Sequence, residues 1–321
     1  MPRFHQRENP FHEKNLDPNT DEFINTVLRR KSGTVIKKAQ THPAEDWGDV
    51  VEADDKAIEE ERVFGELYAR ERSRLQKFFG MTIDVPHIPK GVTPEKIAQW
   101  ESMGFKLEYW PKINMTEEKN FPGWLHKPGK RYTPEQRYGI EFFDEANTIQ
   151  NLPENRNNPK LQGLKMTELP GCWILADMRD KPVFEDDENQ AYTNDTLIQG
   201  VLKHLVSTGI VNHEASTGLR NKIHPRVFDN PAFWEALKMA LQVHDIPGVV
   251  LRLPRIIESN VRGQSHGFHN TNTYEWCEEY YESGRRIFSG GSDHGGASYL
   301  NWRTSWLCTI GFRPLVVFPQ N

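Results

Sequence analysis

The side chains of this chain that could do chemistry are spread along it, and few of them fall at useful spacings. His266-Gly267-Phe268-His269 has the His-x-x-His spacing of two zinc ligands. Zinc needs at least a third protein ligand and none is indicated nearby, so the pair reads as a loop with two histidines. Asp186-Asp187-Glu188-Asn189 offers oxygens to calcium. It lacks the spaced oxygen pattern of a dedicated calcium loop and reads as a solvated turn. Glu258, Glu275 and the pair Glu278-Glu279 are the carboxylates that could be paired for acid–base work. Cys172, Cys277 and Cys308 stand far apart with no Cys-x-x-Cys pair. That pattern argues against zinc-ribbon and thioredoxin-type chemistry and against a disulfide framework. No catalytic residue, no metal and no cofactor is expected from these residues.

Composition narrows the remaining classes. The 321 residues suffice for one large core or two modest ones, and 36% hydrophobic residues put the chain on the polar side. A mean hydropathy of -0.72 fits a chain of which part covers or extends rather than packs. Net charge is -5, which gives no basic footprint for nucleic acid. No apolar run is long enough to span a bilayer, and Met1-Pro2-Arg3-Phe4-His5 leads into charged residues rather than a signal-peptide core. A soluble product is expected.

The elements that must position any site follow from periodicity and caps. Residues 1–52 are polar, carry four prolines at positions 2, 10, 18 and 43, and read as an extended arm. Asp54 or Asp55 caps a helix that runs to Phe79 and stops at Gly80, with Ile58, Val63, Phe64, Leu67, Tyr68, Leu75, Phe78 and Phe79 at helical spacing. It is either a docking helix or one packed on its own domain. Thr93-Pro94-Glu95 opens a second helix ending near Gly104. From Lys106 to Pro159 the chain is turn-rich and aromatic, with a short helix from Thr133 through Asn147. Asn151-Leu152-Pro153-Glu154-Asn155-Arg156-Asn157-Asn158-Pro159 is the best linker candidate, which places a boundary between a helical, turn-rich region 53–159 and a domain 160–321. Within that domain a strand at Gly171–Asp177, helices opened by Asn194 or Asp195 and by Asn230-Pro231, and a strand at Val249–Leu253 give an α+β layout.

The C-terminal stretch stands apart from the rest. From Ile287 to Thr309 there is no Lys, Glu, Gln or Met, although 26% of the chain is charged. Gly, Ser, Thr, Asn, Asp, His and Tyr dominate there, a composition with adaptable hydrogen bonding and little side-chain entropy to lose. It reads as a display surface between two anchored ends. Leu315-Val316-Val317-Phe318 then closes the chain without polar alternation, so it belongs inside a sheet rather than at its rim.

At this point four blocks carry a resemblance. Arg252-Leu253-Pro254, with Glu258 and Arg262-Gly263, resembles the Arg-Leu-Pro…Glu…Arg-Gly signature of formylglycine-generating-enzyme-type C-type lectin folds. Asn272–Trp276, Arg286–Ser292 and Gly311-Phe312-Arg313 follow in the order of that family's later blocks. The resemblance covers roughly 165–319 and implies a C-type lectin fold there. Oxidase members hold copper with a cysteine pair just after the Gly-Gly-Ser block, and the equivalent residues 293–300 contain no cysteine. The ending Asp-x-Gly-Gly-x-Ser…Trp…Ile-Gly-Phe-Arg-Pro-Leu-Val-Val-Phe, with Arg252 to Asn260, is instead similar to variable proteins of diversity-generating retroelements from phages, archaeal viruses and small prokaryotes. In those systems Asn codons become NNY codons, which cannot encode Lys, Glu, Gln, Met or Trp.

That resemblance implies a role for each residue. The variable segment would be about 289–309, with Asp293, His294, Tyr299, Asn301, Arg303, Ser305, Trp306, Leu307, Cys308 and Thr309 as ligand-binding positions. Tyr299, Arg303 and Trp306 would be the hot spots. Arg252, Pro254, Glu258, Trp276, Gly290, Gly291, Trp302, Gly311, Phe312 and Arg313 would be scaffold, with Glu258 fixing a buried turn. Lining of the core is the competing role for about half of the variable positions. Trp302 and Trp306 are either platform residues or products of other codons, and Cys308 is an unpaired thiol. The partner implied is a protein or glycan on a cell surface approached by a virus or secreted particle, with no nucleic acid and no membrane span. A metal oxidase or sulfoxide synthase and a fixed structural virion protein are the rival classes.

Overall fold

The closing strand determines how the chain is layered. The computed structural model describes residues 47–115, 125–127, 130–131, 142–179, 195–209, 225–266, 274–282, 284–290, 299–303, 310–311 and 313–319. The chain divides into two compact units, Met1–Ala39 and Gln40–Asn321, and all described residues lie in the second. It is mixed helix and sheet. In its first sheet β10 (Leu315–Val317) sits between β4 (Cys172–Asp177) and β5 (Val250–Arg252), with β1 (Phe105–Trp110) beyond β4, and every neighbouring pair is antiparallel. The closing strand is internal, as its unbroken apolar run requires.

Both faces of this sheet are covered, which is why β4 is buried at every position. On one side Trp173, Leu175 and Val316 pack against α1 (Trp47–Phe79), α2 (Pro94–Ser102), α5 (Thr196–Ser207) and α6 (Pro231–Ala240). Cys172, Ile174, Ala176 and Leu315, the alternate residues, face α3 (Phe142–Gln150), α7 (Ile256–His266) and the second sheet. That second sheet has the order β8 (Tyr299–Arg303), β7 (Arg285–Gly290), β6 (Tyr274–Glu282), β9 (Ile310–Gly311), and only β9 runs parallel to its neighbour. A hairpin of β2 (Leu125–Lys127) and β3 (Lys130–Arg131) and a short helix α4 (Pro153–Arg156) complete the described elements. Among the described residues no helix is long and apolar enough to cross a membrane.

Local signals account for most helix ends. Thr93, Asp195 and Asn230 cap α2, α5 and α6 by accepting from the backbone N–H of Lys96, Ile198 and Ala232. Gly80 and Gly209 stop α1 and α5 at positive φ. Helix α1 begins at Trp47, so the last residues of the expected arm, 47–52, are helical; residues 1–46 lie outside the described residues.

Helix α1 packs on its own domain, and it does so through polar groups as well as the apolar pair Leu67 and Leu75. Strand β1 is a sheet edge, whose outward N–H and C=O groups need partners. Glu71 Oε2 accepts from the Tyr109 N–H at 3.0 Å, Arg74 donates to the Tyr109 carbonyl at 2.7 Å, and Arg70 donates to the Leu107 carbonyl at 2.9 Å. The helix thus blunts the edge with side chains.

The expected linker is not a boundary between folding units. Strand β1 lies before it in sequence and pairs along its whole length with β4 after it, from Phe105↔Asp177 to Trp110↔Cys172. Asn155, in the middle of the segment, is 4% exposed and bonds to both Tyr280 N and Tyr280 O, at 2.8 and 2.7 Å, as a strand edge would. The polar, proline-containing composition reflects a tight helical turn whose amides are spent inside the protein. The helix expected from 133 to 147 is α3 where described, and β1 and α7 are elements that the sequence reading did not assign.

Gly104 joins α2 to β1 at φ +81°, where a Cβ would lie 2.4 Å from Arg179 Cγ. Arg179 is pinned by Asp177 and by Asp195, the latter at 2.6 Å, and has little room to yield. Gly104→Ala should lower stability by about 1–3 kcal/mol. Denaturant unfolding checks this.

Candidate functional site

Between the two sheets lies a buried network of charges built from residues far apart in sequence. Arg252, Arg255, Glu258, Arg262, Glu275, Glu278, Glu279, Arg286 and Arg313 are each no more than 5% exposed. Glu258, in the first turn of α7, is its centre. It receives Arg252 through both carboxylate oxygens at 2.6 Å each, Arg255 Nε at 2.8 Å and the Arg255 backbone N–H at 2.8 Å. Arg255 continues outward to the carbonyls of Lys165 and Glu168 at 2.9 and 2.6 Å. The expected buried turn is therefore the start of a helix, with Glu258 acting as its cap and as the partner of two guanidinium groups.

A second centre is Glu275 on β6. Arg313 Nε donates to one oxygen at 2.5 Å and Arg262 donates to the other at 3.1 Å. Strand β9 pairs with β6 at Glu275↔Gly311, so the last loop is fastened to the second sheet at the same point where Arg313 enters the network. Glu278 closes the circuit. It accepts from the Leu253 N–H at 3.0 Å and from Asn158 at 2.9 Å, and its own N–H donates to the Pro254 carbonyl at 3.0 Å. Arg286 donates to the Glu278 carbonyl at 2.9 Å and to Asp229 at 2.7 Å, with its guanidinium over the Tyr280 ring.

Burial and partners set opposite protonation for neighbouring carboxyls. Burial raises the Glu258 carboxyl, but Arg252 and Arg255 outweigh it and hold it at about 2. Burial likewise opposes ionisation of Glu108 on β1, but a hydrogen bond from His266 and the charge of Arg74 bring it to about 2. Glu279 has no such partner. Its oxygens accept the Ile256 N–H at 3.1 and 3.3 Å, and burial, with the charge of Glu258 beyond, pushes it up to about 8 against the pull of Arg255. The two neighbouring carboxyls are thus shifted in opposite directions.

Neither described thiol is poised as a nucleophile. Burial pushes Cys172 up to about 12 and Cys277 well above the usual thiol value, and Cys277 lies 3.6 Å from Ser289 Oγ. His266 is engaged with Glu108 at 3.0 Å. Among the described residues no group of three or more His, Cys, Asp or Glu could hold a metal ion. His269, Cys308 and Asp186–Asn189 lie outside the described residues.

The expected site residues divide in the same way. Arg252, Pro254, Glu258, Trp276 and Arg313 are buried and converge on this network or the core beside it. Gly290 ends β7, paired with Tyr274 and Tyr299, and Gly311 lies in β9. Tyr299, Asn301, Trp302 and Arg303 are in β8, the edge strand, in the register Gly290↔Tyr299, Phe288↔Asn301, Ile287↔Trp302 and Arg286↔Arg303. Three expected ligand-binding positions, Tyr299, Asn301 and Arg303, therefore share one parity of the strand, and the expected scaffold residue Trp302 has the other, opposite the fully buried Ile287. Asp293, His294, Ser305, Trp306, Leu307, Cys308, Thr309, Gly291 and Phe312 lie outside the described residues. Sequence reasoning missed Glu108, Asn155 and Arg255. Glu108 alternates within Phe-Lys-Leu-Glu-Tyr-Trp, a legible strand, whereas nothing local marks Asn155 as buried. Against known proteins, no family model, no curated protein and no solved structure matches this chain.

Removing Glu258 strands two buried guanidinium groups, so Glu258→Ala should cost about 3–5 kcal/mol, measured by thermal or denaturant melting. Glu279 has the opposite sign in pH. Its folded value of about 8 exceeds the ordinary 4.5, so its contribution is full below pH 4.5, declines as pH rises and is gone above about 8. Glu279→Gln stays neutral throughout. Its stability relative to the wild type should therefore grow between those values, by up to about 5 kcal/mol, then level off; melts across a pH series check the slope.

Proposed function

We propose that this chain is a non-catalytic ligand-binding protein. Its region 160–321 has a C-type lectin fold of the formylglycine-generating-enzyme-like type, and its segment 289–309 is a recognition surface diversified by a retroelement. The observation that carries this reading is the convergence of the motif residues. Arg252, Glu258, Arg262, Glu275, Arg286 and Arg313 come from blocks spread over more than sixty positions, and they meet in one buried network directly behind the second sheet. Such convergence is what a shared signature requires if its role is to hold a fold rather than to perform a reaction.

The mechanism is recognition on a held edge. Strand β7 is anchored on both sides, by Arg286 and Phe288 on one parity and Ile287 and Ser289 on the other, all buried. Strand β8 adds to it as the outermost strand, and the chain is fastened again at β9 and Arg313. Side chains between those anchors can change without disturbing the network. Affinity then comes from a few aromatic and arginine contacts, Tyr299 and Arg303 among them, and specificity from the polar groups around them. The partner is a protein or glycan on a cell surface, met by a virus or secreted particle. A net charge of -5 makes a nucleic-acid backbone a poor match.

Deep sequencing of the gene and its downstream DNA across a natural population is the direct test. Substitutions concentrated at adenine-derived codons between Ser289 and Thr309, beside a near-copy of that stretch and a reverse transcriptase, are expected. Variation no higher there than in the flanks rejects the reading in favour of a fixed binder or virion component. In the purified protein, single substitutions at Tyr299, Asn301 or Arg303 should shift stability by less than about 0.5 kcal/mol. Glu275→Ala, which takes an acceptor from both Arg262 and Arg313, should cost about 3–5 kcal/mol; denaturant melts compare them.

A further inference from the structure

Away from the second sheet's edge, the turns between α3 and β4 enclose a pocket of about 190 Å³. Its walls are fixed by bonds already described for Asn155 and Arg255, and Gln150 Oε1 accepts the Met166 N–H across it at 3.0 Å. These groups are spent in holding the walls. Arg156 and Gln162 also line the pocket, are exposed, and make no side-chain hydrogen bond or ion pair among the described residues. Leu161 and Met166, both buried, supply an apolar wall. A half-open pocket with one uncommitted guanidinium, one uncommitted amide and one apolar side suits a small polar ligand whose charge is negative.

The dimensions and donors narrow the class. Drug-sized sites start at about 300 Å³, and this volume corresponds to about six waters, so a single ring fits and an oligomer does not. A guanidinium pairs with a carboxylate through two parallel N–H···O bonds. A carboxamide both donates to and accepts from hydroxyls, and an apolar wall suits the C–H face of a sugar ring. We infer that this pocket binds one sugar acid, carboxylate on Arg156 and hydroxyls on Gln162. No lining residue belongs to segment 289–309, so the site is independent of the recognition reading and stands or fails separately from it.

The test is a titration of the full chain, followed by ligand-observed NMR, with sodium glucuronate, glucose and acetate. Glucuronate should saturate at about millimolar concentration, with glucose and acetate each about tenfold weaker, since each lacks one of the two features. Arg156→Ala should weaken glucuronate about tenfold and Gln162→Ala several-fold. Both positions are exposed, and an unchanged melting temperature shows that the variants remain folded. The methyl glucuronoside separates the sources: binding equal to glucuronate points to the terminal residue of a glycan, and loss of binding to a free sugar acid. Absence of saturation by glucuronate, glucose or acetate binding as tightly, or an Arg156→Ala variant with unchanged affinity overturns the assignment.

Discussion

The bidentate pair between Arg252 and Glu258 is the interaction on which the rest of the structure depends. Both residues are 1% exposed or less, so neither charge has water to fall back on, and each is tolerable only because the other is present. Arg252 ends β5, and Glu258 opens α7. The pair therefore fixes the angle at which the chain leaves the first sheet and starts the helix beneath the second. Arg255 carries the restraint to the loop at Lys165 and Glu168, and Glu278 carries it back from β6 to Leu253. A hydrophobic replacement could pack as well, but it would not specify direction as donors and acceptors do.

Strand order separates the rims of the two sheets from the core. β4 and β10 are covered on both faces and leave no freedom to substitution, while β1, at one edge, is closed off by Glu71, Arg70 and Arg74 of α1. The second sheet is left with β8 at its rim, reached only through β7. Among the described residues β8 has one hydrogen-bonded neighbour, β7. The same arrangement gives Arg313 its value, since it returns the chain to Glu275 immediately after the segment and before β10 enters the core.

Glu258 and Glu279 are shifted in opposite directions because guanidinium groups bond the first and not the second. Glu258 has two guanidinium partners and Glu279 has a backbone N–H. Equal burial then yields an anion in one place and a neutral acid in the other. The neutral Glu279 sits beside Cys277 and under the first turn of α7, where a second anion would face Glu258 without an intervening cation of its own.

What the sequence determined by itself is local. Caps at Thr93, Asp195 and Asn230, glycine stops at 80 and 209, and the unbroken apolar run at 315–318 follow from backbone chemistry that needs no distant partner. The α+β character and most helix positions follow from them. Tertiary structure decided the rest. Only the fold brings Glu275 to Arg262 and Arg313, closes β1 with a helix thirty residues earlier, and turns a polar, proline-flanked stretch that reads as a linker into a buried amide at Asn155 that bonds β6. The reason is physical. A cap or a stop is satisfied within a few residues, whereas a buried charge or amide is satisfied by whatever the chain's return path places against it, and spacing in sequence carries no record of that path.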